Sequence, residues 1–328
     1  MKKCATFLAA ALATLPVILP AMSHAADAYP NKPVRMIVPF GASSGLDPVA
    51  RALAERLTAQ TGQSFIVENR EGAGGTVGVK AGASAAPDGY TITMIVHPPF
   101  AAAPYLQRKL PYDPINDFVP ITRVSTTPLI LIANNDAPFK TMAEMVSYAR
   151  ANPGKLNYAS SGIGTASHLY MEQVKLAQNL KITFIPYKST GQQMTDTIGG
   201  QVHLSLPSLI GGMPQVQGGK VRLLAVGTAQ RHPNIPNTPT FAEGFNQPGF
   251  EAVVWYGFVG PKGMPEAAVA KLNAEFGIAL NSPQVTKVLT DSGAEKAPST
   301  PAEFAAMINS GATNAQRIIK ELKIELQD

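Results

Sequence analysis

The stretch that decides the fold is Ser160-Ser161-Gly162-Ile163-Gly164-Thr165-Ala166-Ser167-His168. It joins a short strand-like run, Leu156 to Ala159, to a predicted helix. Small residues let the backbone approach a ligand closely, and the first turn of a helix presents unpaired N–H groups at the positive end of its dipole. Two interpretations follow: an ordinary strand-to-helix turn capped by Thr165 or a neighbouring serine, or a site for an anion.

On both sides of this stretch, apolar β-branched runs alternate with helical patterns, which predicts an α/β fold with a largely parallel sheet. The first helix is predicted to have Asp47 as its N-cap and Pro48 at its first position. In the first half of the chain the strand-like runs are Val34 to Val38, Phe65 to Val67 and Thr91 to Val96.

After Pro128 the pattern restarts, which indicates a second domain. A helix opened by Thr141, with Glu144 three residues on, has the pattern of a capping box. The predicted strands of this domain are Leu129 to Ala133, Leu156 to Ala159, Ile182 to Tyr187, Val202 to Leu206 and Val221 to Val226.

The last quarter of the chain is interpreted as a return to the first domain. Val253 to Val259 is the predicted returning strand, and helices are predicted after Pro265 and after Thr300. Residues 27–125 plus 251–328 then form domain 1, and residues 126–250 form domain 2. Two lobes joined by crossing strands leave a cleft between them, which is the usual place for a small ligand.

Residues 1–25 have the pattern of a secretory signal peptide. Lys2 and Lys3 precede the apolar run Ala5 to Leu19, and Ser23-His24-Ala25 places small residues before a predicted cut. The apolar run is too short to cross a bilayer, and no later stretch approaches the roughly 20 apolar residues that a span requires. We therefore expect a mature protein that is exported and is not inserted in the membrane.

Composition excludes several function classes. Removing residues 1–25 takes away two lysines and no acid, so the formal net charge falls from +5 to +3. That weak charge, without a run of basic residues, argues against a nucleic-acid partner. The single cysteine, Cys4, lies in the leader, and the histidines have no zinc spacing. We therefore expect no metal, no disulfide, no thiol nucleophile and no cofactor.

The first glycine-rich turn, Phe40 to Gly45, contains the pattern G-x-S-x-G. Ser43 would be the nucleophile of a secreted α/β hydrolase, with His203 or His232 as its base. This turn follows the first strand, whereas a hydrolase elbow normally follows several, so the hydrolase is the alternative hypothesis. The second turn, Glu68 to Gly78, only partly matches a dinucleotide fingerprint and is interpreted as a packing turn.

The first turn and the opening stretch lie at corresponding strand ends of two successive units. If the lobes face each other, two helix N-termini point into one cleft, which suits a carboxylate. Asp47 is interpreted as a cap or as a ligand contact, and His168 as a capping or packing residue or as a ligand donor. His97, in His97-Pro98-Pro99-Phe100, is predicted to be a pocket wall, and Trp255 a core residue.

Many ordered motifs together resemble the Bug family, the periplasmic substrate-binding proteins of tripartite tricarboxylate transporters. The resemblance covers essentially the whole chain after the leader. The motifs include Val67-Glu68-Asn69-Arg70, Gly72-Ala73-Gly74-Gly75, Pro87-Asp88-Gly89-Tyr90-Thr91, Leu110-Pro111-Tyr112-Asp113-Pro114, Asn152 to Gly162, Gly164-Thr165 with His168-Leu169, Pro186-Tyr187-Lys188 and Gly219-Lys220-Val221-Arg222.

The resemblance implies a two-domain periplasmic-binding-protein (Venus-flytrap) fold, with crossing hinge strands, that closes on a small organic carboxylate. It also implies delivery of the ligand to membrane permease subunits, no catalysis and a periplasmic location. A signalling sensor has the same fold and is a further alternative. The residues expected to face the ligand are Phe40, Ala42, Ser43, Ser44, Asp47, His97, Ser160, Ser161, Gly162, Gly164, Thr165, His168 and Pro207.

This chain departs from the family pattern in three places, one of which is Ser189, where the family usually has a glycine after Tyr-Lys. Ser43-Ser44 stands where the family usually has two glycines, and Pro207 stands where many members carry an aspartate. Because that aspartate would pair a ligand ammonium group, its absence disfavours an amino acid. We therefore expect a monomeric receptor for a mono- or dicarboxylate without an amino group, including an aromatic acid such as terephthalate.

Overall fold

The computed structural model describes residues 29–42, 47–97, 99–187 and 190–324, so the predicted signal peptide lies outside the described residues. The strands are β1 Val34–Val38, β2 Phe65–Asn69, β3 Thr91–His97, β4 Phe118–Pro128, β5 Ile130–Asn134, β6 Asn157–Ser160, β7 Thr183–Pro186, β8 Leu204–Ser205, β9 Val221–Val226, β10 Val253–Pro261 and β11 Glu295–Lys296. The helices are α1 Asp47–Thr61, α2 Thr76–Ala83, α3 Pro99–Leu106, α4 Met142–Ala151, α5 Ala166–Gln178, α6 Thr190–Ile198, α7 Leu209–Gln217, α8 Phe241–Phe245, α9 Glu266–Leu280, α10 Pro283–Asp291 and α11 Pro301–Glu321.

These elements form two sheets, each with its own helices. The first lobe contains the sheet ordered β11-β4-β10-β3-β1-β2, and the second lobe contains the sheet ordered β7-β6-β8-β5-β9. The α/β fold class is therefore confirmed. The predicted domain boundaries stay a prediction. None of the described helices combines the length and the apolar character that crossing a membrane demands.

The expectation of a largely parallel sheet was wrong, because both sheets are mixed. In the first lobe β1 pairs in parallel with β2 and β3, whereas β10 is antiparallel to β3 and β4. In the second lobe β6 is parallel to β7 and β8, whereas β5 is antiparallel to β8 and β9. The antiparallel pairs arise where the chain passes between the lobes, and a local strand-helix pattern does not contain that information.

Local sequence signals account for the helix ends. Thr141 and Thr300 each accept the N–H of the glutamate three residues on, and the glutamate carboxylate accepts the N–H of the threonine in return. Both capping boxes satisfy N–H groups that would otherwise lack partners at the helix start. The helix predicted after Pro265 is α9, which begins at Glu266.

Each lobe has its own apolar core. The core of the first lobe packs α1, α9 and α10 against one face of its sheet, through fully buried residues such as Leu53, Phe258 and Phe276. The second lobe has a separate core around Tyr158, Met171 and Phe241. Because each sheet buries apolar surface against its own helices, each lobe forms a separate body around the cleft.

Three backbone hydrogen bonds connect the segments at which the chain crosses between the lobes. Leu129 N donates to Ala252 O at 2.9 Å, Ala252 N to Gly227 O at 2.8 Å, and Gly227 N to Leu129 O at 2.8 Å. Leu129 lies between β4 and β5, Gly227 follows β9, and Ala252 precedes β10. This closed set of bonds, which we call the crossing ring, joins both crossing segments to the end of β9.

Gly227 is the position in the crossing ring that tolerates no side chain, because a Cβ there would lie 2.1 Å from Ala252 O. We therefore expect Gly227→Ala to lower the free energy of unfolding by about 3 kcal/mol, the upper end for overpacking. In the control Gly277→Ala, on α9, the new Cβ meets nothing within 4 Å. That substitution should raise stability by about 0.5–1 kcal/mol. Urea unfolding measures both, and equal stabilities would contradict the importance of the ring.

Candidate ligand-binding cleft

Two cavities meet where the lobes face each other. The first, which we call the apolar cavity, has a volume of about 490 Å³ and is closed on the second-lobe side by Ile163, Gly164 and Thr165. Its first-lobe wall consists of Pro39, Phe40, Ala73, Gly75, Thr76, Val79, Ile95, Val96, Phe100, Ala103, Leu106, Gln107 and Tyr112.

The second cavity, which we call the hydroxyl cavity, has a volume of about 600 Å³ and lies within the second lobe. Its polar lining comprises Ser161, Thr165, Ser167, Thr190, Gln193, Thr195, Ser208 and Gln215. Thr165 lines both cavities, so the two cavities meet at the start of α5. Among the described residues that line them, no side chain carries a formal charge.

The first turn of α5 keeps its backbone donors open. Thr165 is the N-cap residue, but its side chain makes no capping hydrogen bond. The described residues supply no acceptor for the N–H groups of Ala166, Ser167 and His168, whereas the next N–H, that of Leu169, donates to Thr165 O. Free N–H groups at the positive end of a helix dipole form an anion site. They begin at the edge of the hydroxyl cavity, which Ala166 and Ser167 line.

The Thr165 hydroxyl does not cap the helix because it is used elsewhere. Thr165 Oγ1 donates to Gly162 O at 2.8 Å and lies 2.7 Å from Ser160 Oγ. Ser160 Oγ, on a fully buried residue, also lies 2.8 Å from Ser167 Oγ. These hydroxyls hold each other and the turn in place, so the sequence expectation of a simple cap at Thr165 was wrong.

His168 positions the turn. Its Nδ1 accepts the Gly164 N–H at 3.1 Å, so in this bond Nδ1 carries no proton. The ring also packs on Phe184, with centroids 4.4 Å apart. Burial lowers the pKa of His168 to about 4, so the imidazole is neutral at pH 7. The structure thus supports the packing interpretation of His168.

The structure brings several of the predicted site residues to the two cavities. Phe40, Gly164 and Thr165 line the apolar cavity, and Ser161, Thr165 and Pro207 line the hydroxyl cavity. Gly162 has φ +127° and shapes the turn between them. Ala42 is exposed and lines neither cavity. Ser43 and Ser44 lie outside the described residues, so their predicted role stays a prediction.

Asp47 is occupied by other side chains. The helix α1 starts at this residue, and its carboxylate accepts from Arg51 Nε at 2.6 Å and from Asn69 Nδ2 at 2.8 Å. Asn69 Nδ2 also donates to Phe40 O at 3.0 Å, which fixes the first turn at the cavity wall. Asp47 therefore supports Phe40 indirectly, and the described hydrogen bonds give it neither the predicted capping role nor a free oxygen.

The structure places His97 outside both cavities of the cleft. Its ring stacks on Trp255, with centroids 4.4 Å apart, and a Cβ added at Gly311 would lie 2.0 Å from Nε2. It lines a separate cavity beside α11. The expectation that His97 faces a ligand was therefore not supported, because the pleat of β3 pairs it with Trp255 rather than with the cleft. Trp255 is buried, which confirms its core assignment.

Sequence reasoning missed a polar group on the first-lobe wall. Thr76, Gln107 and Tyr112 line the apolar cavity, and Gln193 and Gln215 line the hydroxyl cavity. Thr76 belongs to the second glycine turn, so that turn contributes to the cleft as well as to packing. The sequence feature that could have identified Thr76 as a cleft residue is the adjacent run Gly72 to Gly75, because glycines let the backbone approach the cleft closely.

The fold and the cleft define a two-lobed solute-binding protein. The chain belongs to the family described as tripartite tricarboxylate transporter family receptor, whose model matches residues 49–324. The described residues contain no group of three or more side chains arranged to hold a metal ion.

Three solved structures show the same family likeness. The periplasmic binding protein BugD is 35% identical, with a TM-score of 0.71 over 91% of this chain and 100% of its own. A Rhodopseudomonas palustris protein solved with adipate is 32% identical, with a TM-score of 0.73 over 91% and 100%. MatC of Rhodopseudomonas palustris, solved with malate, is 31% identical, with a TM-score of 0.69 over 89% and 100%.

The chain is accordingly a substrate-binding receptor and not an enzyme. The hydrolase alternative is not favoured, and the two histidines it needed are used elsewhere. His203 Nδ1 lies 2.7 Å from Asn157 Oδ1, and His232 Nε2 lies 3.1 Å from Glu295 Oε1. Neither histidine lines the apolar or the hydroxyl cavity. The sensor alternative is not favoured either.

His97 gives a prediction for the pH dependence of stability. Both of its ring nitrogens are buried without a hydrogen-bond partner, and burial lowers its pKa to about 3. The unfolded chain takes up this proton near pH 6.5, whereas the folded chain does not, so stability falls as the pH drops from about 6.5 to 3, by up to about 1.4 kcal/mol per pH unit.

The variant His97→Leu should remove this contribution. Urea unfolding of parent and variant at several pH values between 4 and 7 gives the free energy of unfolding of each protein as a function of pH. This plot should have a shallower slope for the variant, by an amount that corresponds to the uptake of up to one proton. Taking the difference between the two proteins at each pH cancels the titration of other groups, including His168. Parallel curves would show that His97 does not stay neutral in the folded state.

Proposed function

We propose that this protein is a periplasmic receptor that captures a small organic carboxylate without an amino group and delivers it to the membrane subunits of a transporter. The observation that carries the proposal is the open first turn of α5, in which Ala166 and Ser167, whose N–H groups have no acceptor, line a cavity without charged side chains.

A neutral cradle of this kind suits a carboxylate. Each N–H group that donates to a carboxylate oxygen forms a charge-assisted bond, which is about twice as strong as a neutral one. Ser161 and Thr165 add hydroxyls beside the helix start. The adipate and malate complexes of family members support the same ligand class for this chain.

The lining also supports a ligand without an ammonium group. Pro207 lies in the wall of the hydroxyl cavity, and no described residue of either cavity lining supplies a carboxylate. Asp47 is paired with Arg51 and Asn69. An ammonium group in this cleft would lose water without gaining a charged partner, which is costly. Phe40 and Phe100 give the apolar cavity walls for an aliphatic chain or an aromatic ring.

Export to the periplasm with cleavage after Ala25 belongs to the same proposal. It is supported by the pattern of residues 1–25 and by the periplasmic binding protein among the similar structures. We propose that the mature protein acts as a monomer with one ligand. Mass spectrometry of the intact periplasmic protein measures both the cut and the co-purified ligand.

The substitution Ala166→Pro tests the carboxylate site. Proline is well tolerated at the first position of a helix, and Thr165, at φ −67° and ψ 160°, already has the backbone conformation that precedes proline. The variant removes one open N–H and keeps the helix. Isothermal titration with adipate and benzoate should show an affinity that is weaker by about tenfold or more, because the variant lacks one charge-assisted hydrogen bond to the carboxylate.

The matched control is Glu266→Pro at the first position of α9, where Pro265 has φ −59° and ψ 135°. We expect the melting temperatures of both variants to lie close to that of the parent. Only Ala166→Pro should bind the carboxylates more weakly. Unchanged binding by Ala166→Pro would refute the α5 site. A ligand screen that finds a sugar or a cation, and no carboxylate, would refute the proposed function.

A further inference from the structure

The apolar cavity has one polar corner, formed by Thr76, Gln107 and Tyr112. All three residues line the cavity, and Gln107 Nε2 donates to Thr76 Oγ1 at 3.5 Å. Around this corner the wall is apolar, with Val79, Ile95 and Phe100 among its residues. The corner belongs to the first lobe, whereas the open N–H groups of α5 belong to the second.

The starts of α2 and α5, which lie on opposite sides of the apolar cavity, differ in their free donors. Before α2, Gly75 N and Val77 N donate to Gly72 O at 2.9 and 3.4 Å, and Thr76 N donates to Ala73 O. The short 3₁₀ turn Ala73–Gly75 therefore uses the N–H groups of Gly75, Thr76 and Val77 at this helix start. The start of α5 has no such turn, and its N–H groups remain free.

We propose, on the basis of the proposed carboxylate site, that Thr76, Gln107 and Tyr112 recognise an uncharged oxygen at the other end of the ligand. The ligand class is then a carboxylic acid whose hydrocarbon or aromatic body fills the apolar cavity and whose far end carries a hydroxyl or carbonyl group. The carboxylate binds at α5, and the neutral oxygen binds at the polar corner.

Charge decides between a neutral far end and a second carboxylate. A buried carboxylate needs a cation or several free N–H groups. The described lining of the apolar cavity has no cationic side chain, and the N–H groups of Gly75 and Thr76 are used within their own turn. A hydroxyl or carbonyl oxygen needs only one or two neutral partners. Burial raises the pKa of Tyr112 to about 12, so its hydroxyl stays protonated at pH 7 and can donate.

Two matched ligand series test the inference by isothermal titration. The first is hexanoate, 6-hydroxyhexanoate and adipate, and the second is benzoate, 4-hydroxybenzoate and terephthalate. Within each series we expect the hydroxy acid to bind tightest, by about 3- to 10-fold over the unsubstituted acid, which corresponds to one neutral hydrogen bond. Tightest binding by the diacid in both series, or equal binding of the hydroxy and unsubstituted acids, would overturn the inference.

The variants Tyr112→Phe and Thr76→Val test the residues. Each should reduce the preference for the hydroxy acid, measured within one variant as the ratio of its affinity to that of the unsubstituted acid. Tyr148→Phe is the matched control, since that ring packs against Phe139 in the second lobe. A preserved preference in both cavity variants, with melting temperatures like the parent, would refute their role.

The outcomes separate this inference from the proposed function. If no carboxylate binds the parent protein, the proposed function fails. If carboxylates bind the parent protein and Ala166→Pro weakens that binding, the proposed function stands. If the diacid is then the tightest ligand, only the inference about the polar corner fails.

Discussion

Three backbone hydrogen bonds among Leu129, Gly227 and Ala252 tie the two segments that cross between the lobes to the end of β9. Each lobe buries its own core, and α5 of the second lobe also packs on α3 and α11 of the first through Leu106, Leu169 and Ile319. The crossing ring gathers those segments within a few ångströms and leaves no room for a side chain at Gly227. Everything that the cleft does requires this arrangement, because the first lobe supplies the apolar wall and the second lobe supplies the open helix start.

The described lining of the cleft contains no charged side chain, so the proposed anion site consists of backbone N–H groups. At α5 the hydroxyls of Ser160, Thr165 and Ser167 bind one another, and His168 accepts the Gly164 N–H. These side chains shape the turn and leave the helix N–H groups for a ligand. At α2 a 3₁₀ turn uses the corresponding groups. The two glycine-rich turns therefore differ in their free N–H donors. The turn of the second lobe leaves donors open, whereas the turn of the first lobe uses them within itself.

Much of the fold followed from local patterns, and the failures have physical causes. β9 spans Val221–Val226 as predicted, and α4 and α11 begin at the predicted capping boxes. β4 was missed, because its prolines and polar residues hide a strand that pairs on both sides. His97 was assigned to the cleft because it ends a strand, but its cross-strand neighbour Trp255 comes from a segment more than 150 residues later in the chain.

The sequence by itself determined the elements and the small-residue turns, because capping, strand propensity and glycine conformations depend on neighbours within a few positions. It also determined the family likeness. Only the tertiary structure decided strand direction, the face on which His97 lies and which helix start remains open. Those outcomes depend on pairing and hydrogen bonds between groups distant in sequence, or on competition for one N–H group. In this protein that competition leaves the first turn of α5 free and closes that of α2.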